Sequence, residues 1–229
     1  MNPAALDIPS LRDKVSPEEW AVRVDLAACY RLVVRYGWED LVFTHITVRV
    51  PGADDQFLIN PYGMFFDEIT ASSLVKVDLD GKQLDEQPFP VNRAGFVIHS
   101  AIHAARHDAR CVLHTHTVSG IAVSTQRAGL LPISQHAMSV LPSLGYHDFE
   151  GVATRDDEKP RLAMYFLEAS CAIQVRAQSG GGELIPVPKE VLDGAYAQAG
   201  ATVRPRDRGK LIWPGLLRRL DRTDPSYRT

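Results

Sequence analysis

The chain has 229 residues, of which 45% are hydrophobic and 23% are charged. This composition is typical of a globular protein with a sizeable core, and it predicts a single domain over residues 1–229. The formal net charge of −3 gives no electrostatic reason to expect a nucleic-acid partner. No apolar run approaches the roughly 20 residues that cross a bilayer, so no membrane partner is expected.

The cysteines indicate the cellular compartment. Cys29, Cys111 and Cys171 are odd in number and far apart, which favours reduced thiols over a disulfide framework. Reduced thiols are typical of a reducing compartment. The first 20 residues also lack the basic and then apolar pattern of a secretory signal. The sequence therefore predicts a cytoplasmic location.

The first predicted element is a helix. Residues 1–15 are predicted to form an extended arm, and the helix begins after Ser16 because "SPEE" supplies an N-cap serine, a proline and a reciprocal capping glutamate. Gly37 is predicted to end it. Apolar residues recur at helical spacing and predict one buried face. They are Val22, Leu26, Tyr30 and Val33.

Strands follow this helix. "LVFTHITVRV" (41–50) is rich in β-branched residues and "QFLIN" (56–60) is similar, so both are predicted strands. Asp80 and Gly81 lie between two short apolar runs, a pattern typical of a two-residue hairpin turn. The first third of the chain is therefore predicted to be a helix followed by antiparallel strands.

The second half alternates helices and a strand. Helical spacing covers residues 94–107, strand composition covers "ARCVLHTHT" (109–117), and a long helix from Pro160 is stopped by glycines at 180–182. Residues 201–229 form a C-terminal tail. This order predicts an α/β fold in which helices pack on a sheet.

Two histidines in "LHTHT" are candidate metal ligands. Because strand side chains alternate, His114 and His116 are predicted to lie on one strand face. Neutral imidazoles at this spacing suit zinc, but a catalytic zinc takes about three protein ligands. The pair alone is more often simply two polar strand residues.

A second histidine cluster lies upstream. His99, His103 and His107 recur at i, i+4 and i+8 and would line one helical face. This pattern favours a solvated helix flank, with a helical metal pair or a proton relay as the alternative. There is no Gly-x-Ser-x-Gly elbow for nucleophilic catalysis.

Several stretches together resemble the class II aldolase and adducin-head family. They are "LVFTHITVRVPG", "FLINPYGMFFDEITASSLVKVDLDG", "NRAGFVIHSAIHAARHDARCVLHTHTVSGIAVS", "GLLPIS", "GYHDFEG" and "WPGLLRRLDRTDPSYR". The resemblance implies a three-layer α/β/α fold around a central, mostly antiparallel sheet. It also implies a homotetramer with sites shared between subunits.

The resemblance assigns roles to particular residues. In the sugar-phosphate aldolases of this family, the His-x-His pair and a histidine of a later Asn-His-Gly strand bind zinc, which stabilises an enediolate. His114 and His116 match the first two ligands of such a divalent metal ion. Tyr146 matches a tyrosine that acts as an acid in the neighbouring subunit's site.

Three departures from the aldolases affect the chemistry. Gly95 replaces the acid/base glutamate, and the substrate-binding positions carry Thr44, His45 and Arg93 in place of the aldolase phosphate-site residues. A substrate without an obligatory phosphate is therefore expected. The "NRAGFVIHSAIH" stretch resembles the adducin branch of the family.

The third departure is a missing segment. About 30 residues on ordinary element lengths, including the Asn-His-Gly strand, are absent between residues 163 and 164. The third metal ligand is therefore not found. His136, His147 and Glu150 are its candidate substitutes.

Two functions remain open from the sequence. The first is a metal-dependent carbon–carbon lyase that acts through an enolate on a small hydroxy-carbonyl substrate. The second is a non-catalytic, adducin-like assembly domain, which the loss of the glutamate at Gly95 favours.

Overall fold

The computed structural model describes residues 8–85, 87–146, 164–193, 213–214 and 216–229. The arm before residue 8, the break at 163–164, His147, Glu150 and most of residues 201–215 lie outside this range. The chain divides into two compact units. The first comprises residues 1–115, 149–159 and 219–229, and the second comprises residues 116–148 and 160–218.

The named helices and strands follow one another along the chain. They are α1 (Pro17–Tyr36), β1 (His45–Arg49), β2 (Gln56–Ile59), β3 (Val75–Asp78), α2 (Arg93–Ala105), β4 (Cys111–His114), α3 (Val118–Ser124), α4 (Gln135–Val140) and α5 (Met164–Ser179). Short 3₁₀ turns lie at Leu141–Ser143 and Pro225–Arg228. None of the helices in the described ranges is long and apolar enough to span a bilayer.

Helix α1 begins and ends as its sequence predicts. The side chain of Ser16 accepts a hydrogen bond from the backbone N–H of Glu19, and Gly37 ends the helix in the left-handed conformation with φ 67°. On the predicted inner face, Leu26 and Tyr30 are buried. Local capping and apolar periodicity were therefore sufficient to place this helix.

The four strands form an antiparallel sheet in the order β3-β2-β1-β4. The predicted strand over 41–50 is shorter than expected, because residues 41–43 form a turn in which Leu41 has φ 49°. The turn at Gly81, with φ 82°, follows β3, but its far arm is only a bridge between Val77 and Gln83. The two-residue hairpin prediction was therefore wrong in length, although right in the position of the turn.

The sheet of the first unit has a helix on each face. Lys76 pairs with Leu58, and Leu58 pairs with Val48, so these three side chains share one face of the sheet. Helix α1 lies on this face, because Lys76 forms an ion pair with Glu19 of α1 at 3.0 Å. The neighbouring residue Thr47 points to the opposite face and its hydroxyl contacts α2. This confirms the predicted α/β/α layering.

The second unit is helical in the part that the structure describes. Its core is an apolar cluster that α3, α4 and α5 share with the loop at Leu130. The amide of Gln174 on α5 donates to the carbonyl of Gly129 at 2.9 Å and accepts from the N–H of Leu131 at 2.7 Å. Helix α5 ends at Ser179, just before the predicted glycine stop.

A buried arginine connects α1 to the segments around β3. The guanidinium of Arg23 is fully buried and donates to Glu19 at 2.9 Å, to Asp85 at 3.1 Å and to the carbonyl of Leu74 at 2.7 Å. Burial raises the pKa of Asp85, while its hydrogen bond to Arg23 lowers it. Removing the cation would leave both carboxylates buried with reduced compensation.

We therefore expect Arg23→Met to lower the free energy of unfolding by about 3–5 kcal/mol, as is usual when one partner of a buried ion pair is removed. Urea denaturation measures this change. The matched control is Lys189→Met, because Lys189 and Asp193 form an exposed pair at the same i, i+4 spacing, which contributes about 1 kcal/mol or less. Equal, small effects of the two substitutions would contradict the assignment.

Candidate functional site

The candidate site lies where β1 pairs with β4 in the first unit. His45 is directly opposite His114 in the antiparallel register, so both side chains project from the same face. Their rings meet edge to face, with centroids 5.2 Å apart. His45 is buried and His114 is half-buried. A strand end therefore brings together two imidazoles that are 69 positions apart in sequence.

Helix α2 adds a third imidazole. His99 is fully buried, and its ring centroid lies 4.5 Å from that of His45. Burial is the main cause that lowers the pKa of His99, followed by the neighbouring rings of His45, His114 and His103. A cluster of three imidazoles from β1, α2 and β4, hereafter the imidazole cluster, results: His45, His99 and His114.

The cluster depends on the missing side chain at Gly95. A Cβ atom at this position would lie 1.6 Å from Cδ2 and 2.0 Å from Nε2 of His45, which no real pair of atoms can adopt. The ring of His45 therefore occupies the space that a side chain at residue 95 would need. The family resemblance aligns residue 95 with a catalytic glutamate of the aldolases. In this chain the ring of His45 fills the space of that side chain, and residue 95 is a glycine.

Hydrogen bonds behind the cluster fix His99. The hydroxyl of Thr47 lies 2.7 Å from Nδ1 of His99 and 2.9 Å from Nε2 of His103. Burial, and then the positive charge of Arg49, lower the pKa of His103 to about 4. Polar side-chain atoms of this region that are buried without a hydrogen-bond partner among the described residues include Nε2 of His99, Oγ1 of Thr44 and Nε of Arg49. Buried polar atoms of this kind are uncommon in proteins, and an ordered water, an ion or a ligand can satisfy them.

The sequence-based interpretation of α2 needs correction. His99 and His103 are fully buried and do not form a solvated flank, because both face the sheet and share the hydroxyl of Thr47. His107 is exposed and lies beyond the end of the helix at Ala105. Sequence reasoning missed Thr47, since a threonine in a β-branched strand carries no signal of this role.

The prediction of one strand face for His114 and His116 is also corrected. Strand β4 ends at His114, because its partner β1 begins at His45 and offers no further residue to pair with. His116 follows in an irregular stretch, and Thr117 then begins α3. The two histidines are separated only by Thr115, but they do not share the strand.

The remaining predicted residues have different surroundings. Thr44 is buried just before β1, and Arg93 is exposed at the first position of α2. In the second unit, the hydroxyl of Tyr146 accepts a hydrogen bond from the N–H of Leu130 at 2.7 Å. The ring of His136 there lies 5.9 Å from that of Phe166.

The fit of a metal ion can be judged from the donor atoms. Imidazole nitrogens suit zinc and similar ions, and burial lowers the pKa of His99, which favours the neutral imidazole that ligates a metal. However, among the described residues no group of three or more histidine, cysteine, aspartate or glutamate side chains is placed to hold an ion. The donor chemistry therefore fits a metal, but the number of donors does not complete a site.

Comparison with known proteins identifies the family. The family model described as "Class II Aldolase and Adducin N-terminal domain" matches residues 24–176. The chain belongs to the class II aldolase and adducin family. A crystal structure of an aldolase II superfamily protein from Pseudomonas syringae has a TM-score of 0.90 and 44% identity, covering 96% of this class II aldolase/adducin chain and 100% of that one.

Two relatives differ in how much of their length aligns with this chain. A Pseudomonas aeruginosa protein, provisionally named an aldolase class 2 protein, is 50% identical over 246 positions, which cover 94% of this chain and 95% of the relative. The aligned part of this chain is 94% of 229 residues, or about 215. About 31 of the 246 aligned positions are therefore residues of the relative that have no counterpart in this chain. Alpha-adducin of Rattus norvegicus is 49% identical over 143 positions, which cover 62% of this chain and 19% of adducin.

The contact between Gly95 and His45 predicts a substitution whose effect changes sign. In a helix, alanine is favoured over glycine by about 1 kcal/mol, but Gly95→Ala should lower the free energy of unfolding by about 1–3 kcal/mol because its methyl group overlaps a buried ring. In a His45→Ala background the same change should be neutral or stabilising. Urea denaturation of the four variants measures the coupling, and equal effects in both backgrounds would refute the overlap.

Proposed function

We propose that this chain is a metal-dependent carbon–carbon lyase of the class II aldolase type, acting on a small hydroxy-carbonyl compound. The observation that carries the proposal is the imidazole cluster, where β1, α2 and β4 bring three imidazole rings together. Imidazole is the side chain best suited to hydrogen bonding, proton transfer and metal ligation near neutral pH. The name of the Pseudomonas aeruginosa relative supports the reaction class.

We assign the divalent metal ion, with zinc as the first choice, to His114 and His116. Two positions along the chain keep their Cα atoms within roughly 7 Å, a separation that two ligands of one ion can have. When bound, such an ion supplies a Lewis acid that polarises a carbonyl oxygen. The third ligand would come from His136, or from His147 or Glu150, which lie outside the described residues.

The proposed substrate carries no phosphate. A phosphate dianion is usually held by several cations or backbone N–H groups. Here Thr44 is an uncharged residue, and both Thr44 and His45 are buried. Only Arg93 is an exposed cation among the three predicted substrate-binding residues. This environment suits a neutral hydroxy-ketone or hydroxy-aldehyde better than a sugar phosphate.

Tyr146 is the proposed acid. The N–H of Leu130 occupies one lone pair of its hydroxyl, so the hydroxyl proton remains available for donation. Since Gly95 has no carboxylate, the proton that carbon–carbon cleavage requires must come from another group. The resemblance assigns the tyrosine to the site of a neighbouring copy, which makes the lyase an oligomer.

The experiment is elemental analysis of the purified chain together with a retro-aldol assay on phosphate-free and phosphorylated hydroxy-ketones. About one zinc or similar ion per chain is expected. Cleavage should be confined to the phosphate-free compounds and abolished by a chelator. His114→Ala should remove the metal and the activity, because it deletes one of at most three or four ligands. The matched control is His107→Ala, an exposed histidine beyond α2, which should change neither.

A second candidate function is a non-catalytic, adducin-like assembly domain. The overlap at Gly95 favours it, because no carboxylate can be restored there while His45 stays in place. The incomplete set of metal ligands among the described residues also agrees with this function. A metal-free protein that cleaves none of the compounds tested would support the assembly domain over the lyase.

Both candidate functions include self-association, and we propose a homotetramer. The tail "LIWPGLLRRL" is rich in apolar residues, which are typically covered in an assembly. Light scattering at micromolar concentration should give a mass close to four times the 25.3 kDa of one chain. A mass equal to that of a single chain would exclude a shared site.

A further inference from the structure

A chain of hydrogen bonds runs behind the imidazole cluster and ends at His99. It begins at the carbonyl of Ala109, which lies 3.2 Å from Nδ1 of His103. It continues from Nε2 of His103 to the hydroxyl of Thr47 at 2.9 Å, and from that hydroxyl to Nδ1 of His99 at 2.7 Å. All three side chains are fully buried, so water does not compete with these bonds.

The direction of each proton in this chain follows from its first member. Two groups contact Nδ1 of His103: the carbonyl of Ala109, which only accepts, at 3.2 Å, and Nη2 of Arg49, which only donates, at 3.5 Å. Because Nη2 of Arg49 already donates to the carbonyl of His103 at 2.6 Å, the shorter contact decides, and Nδ1 of His103 carries the proton and donates to Ala109. His103 is neutral because it is buried beside the cation of Arg49, and its Nε2 is therefore an acceptor. The hydroxyl of Thr47 must donate its one proton to that nitrogen.

The last bond then runs toward Thr47. Having used its proton on His103, the hydroxyl of Thr47 can only accept from His99, so Nδ1 of His99 carries the proton. No carboxylate contacts His99 among the described residues, and burial disfavours a positive charge on its ring. Its Nε2 is therefore a lone pair, and this atom is buried without a hydrogen-bond partner in the described part of the chain.

A histidine with a purely structural role would have both nitrogens satisfied, since an unpaired buried acceptor is unfavourable. His99 instead has one nitrogen fixed from behind and the other left as an acceptor within the imidazole cluster. His114 is the half-buried, partly solvent-exposed member of that cluster.

We propose that Nε2 of His99 is the acceptor for the hydroxyl group of the hydroxy-carbonyl substrate. Thr47 and His103 are positioning residues that hold His99 in the required tautomer. The substrate class rests on the proposed function, whereas the tautomer rests on the hydrogen-bond geometry alone.

The tautomer is tested by long-range proton–nitrogen correlation NMR of the nitrogen-15 labelled full chain, which separates protonated from bare ring nitrogens. His99 and His103 should both show a protonated Nδ1 and a bare Nε2. Thr47→Val should release this constraint on His99, and Thr47→Ser, which keeps the hydroxyl, should preserve it. A protonated Nε2 on His99 in the unmodified protein would overturn the inference without any variant being needed.

The ligand is tested on the same samples with hydroxyacetone and acetone, two ketones that differ in one hydroxyl group. Hydroxyacetone should shift the Nε2 resonance of His99 saturably, and acetone should not. Thr47→Val should weaken hydroxyacetone binding by roughly 2- to 10-fold, the loss equivalent to one hydrogen bond, while Thr47→Ser should not. Equal shifts from both ketones, or none from hydroxyacetone, would overturn the hydroxyl assignment.

Zinc alone provides the competing outcome. If Zn²⁺ and not hydroxyacetone shifts the Nε2 resonance of His99, the atom is a metal ligand and the proposal is wrong. The lyase proposal fails separately: hydroxyacetone binding at His99 in a chain that binds no metal and cleaves no substrate would leave the acceptor role intact and remove the lyase.

Discussion

The close approach of His45 to Gly95 is the constraint on which the candidate site depends. Any Cβ at residue 95 would overlap the His45 ring, so α2 can lie at its observed distance from β1, with the ring in place, only with glycine at this position. That distance in turn brings His99 within 4.5 Å of His45 and within hydrogen-bonding distance of Thr47. One absent side chain thus decides which polar groups meet on this face of the sheet.

The buried polar groups on the two faces of the sheet differ in their hydrogen bonding. On the α1 face, the guanidinium of Arg23 finds carboxylate and carbonyl partners for its donors, which is what a structural charge in a low-dielectric interior requires. On the α2 face, the hydrogen bonds that begin at Ala109 end at an unpaired nitrogen of His99. Apart from Oδ1 of Asp85, which has no hydrogen-bond partner among the described residues, the first network pairs its charged groups and stabilises the fold. The second network ends at the nitrogen that we propose as the substrate acceptor.

The family relationship fixes the fold more firmly than the chemistry. A structure with 44% identity superposes with a TM-score of 0.90, yet function depends on the residues of the site and not on the fold. Gly95 stands where the aldolases carry a carboxylate. In addition, the Pseudomonas aeruginosa relative has residues at about 31 aligned positions where this chain has none. A proton that a carboxylate at residue 95 would have supplied must therefore come from another group.

The sequence by itself determined the elements that depend on local interactions. Capping by Ser16 and Gly37 places α1, β-branched runs place the centres of the strands, and the glycines after Ser179 end α5. These features involve residues within a few positions of one another, so a single sequence is enough to predict them. The family motifs added the antiparallel sheet and the two histidines of "LHTHT".

Only the tertiary structure decided how the histidines are used. The i, i+4 spacing of His99 and His103 was compatible with a solvated helix flank. In the structure both are buried, and each forms a hydrogen bond with Thr47, which is 52 positions from His99 and 56 positions from His103. The overlap between His45 and Gly95 likewise joins a strand and a helix that are 50 positions apart. Local patterns carry no information on which strand residue will face which helix residue, because that depends on the packing of whole elements.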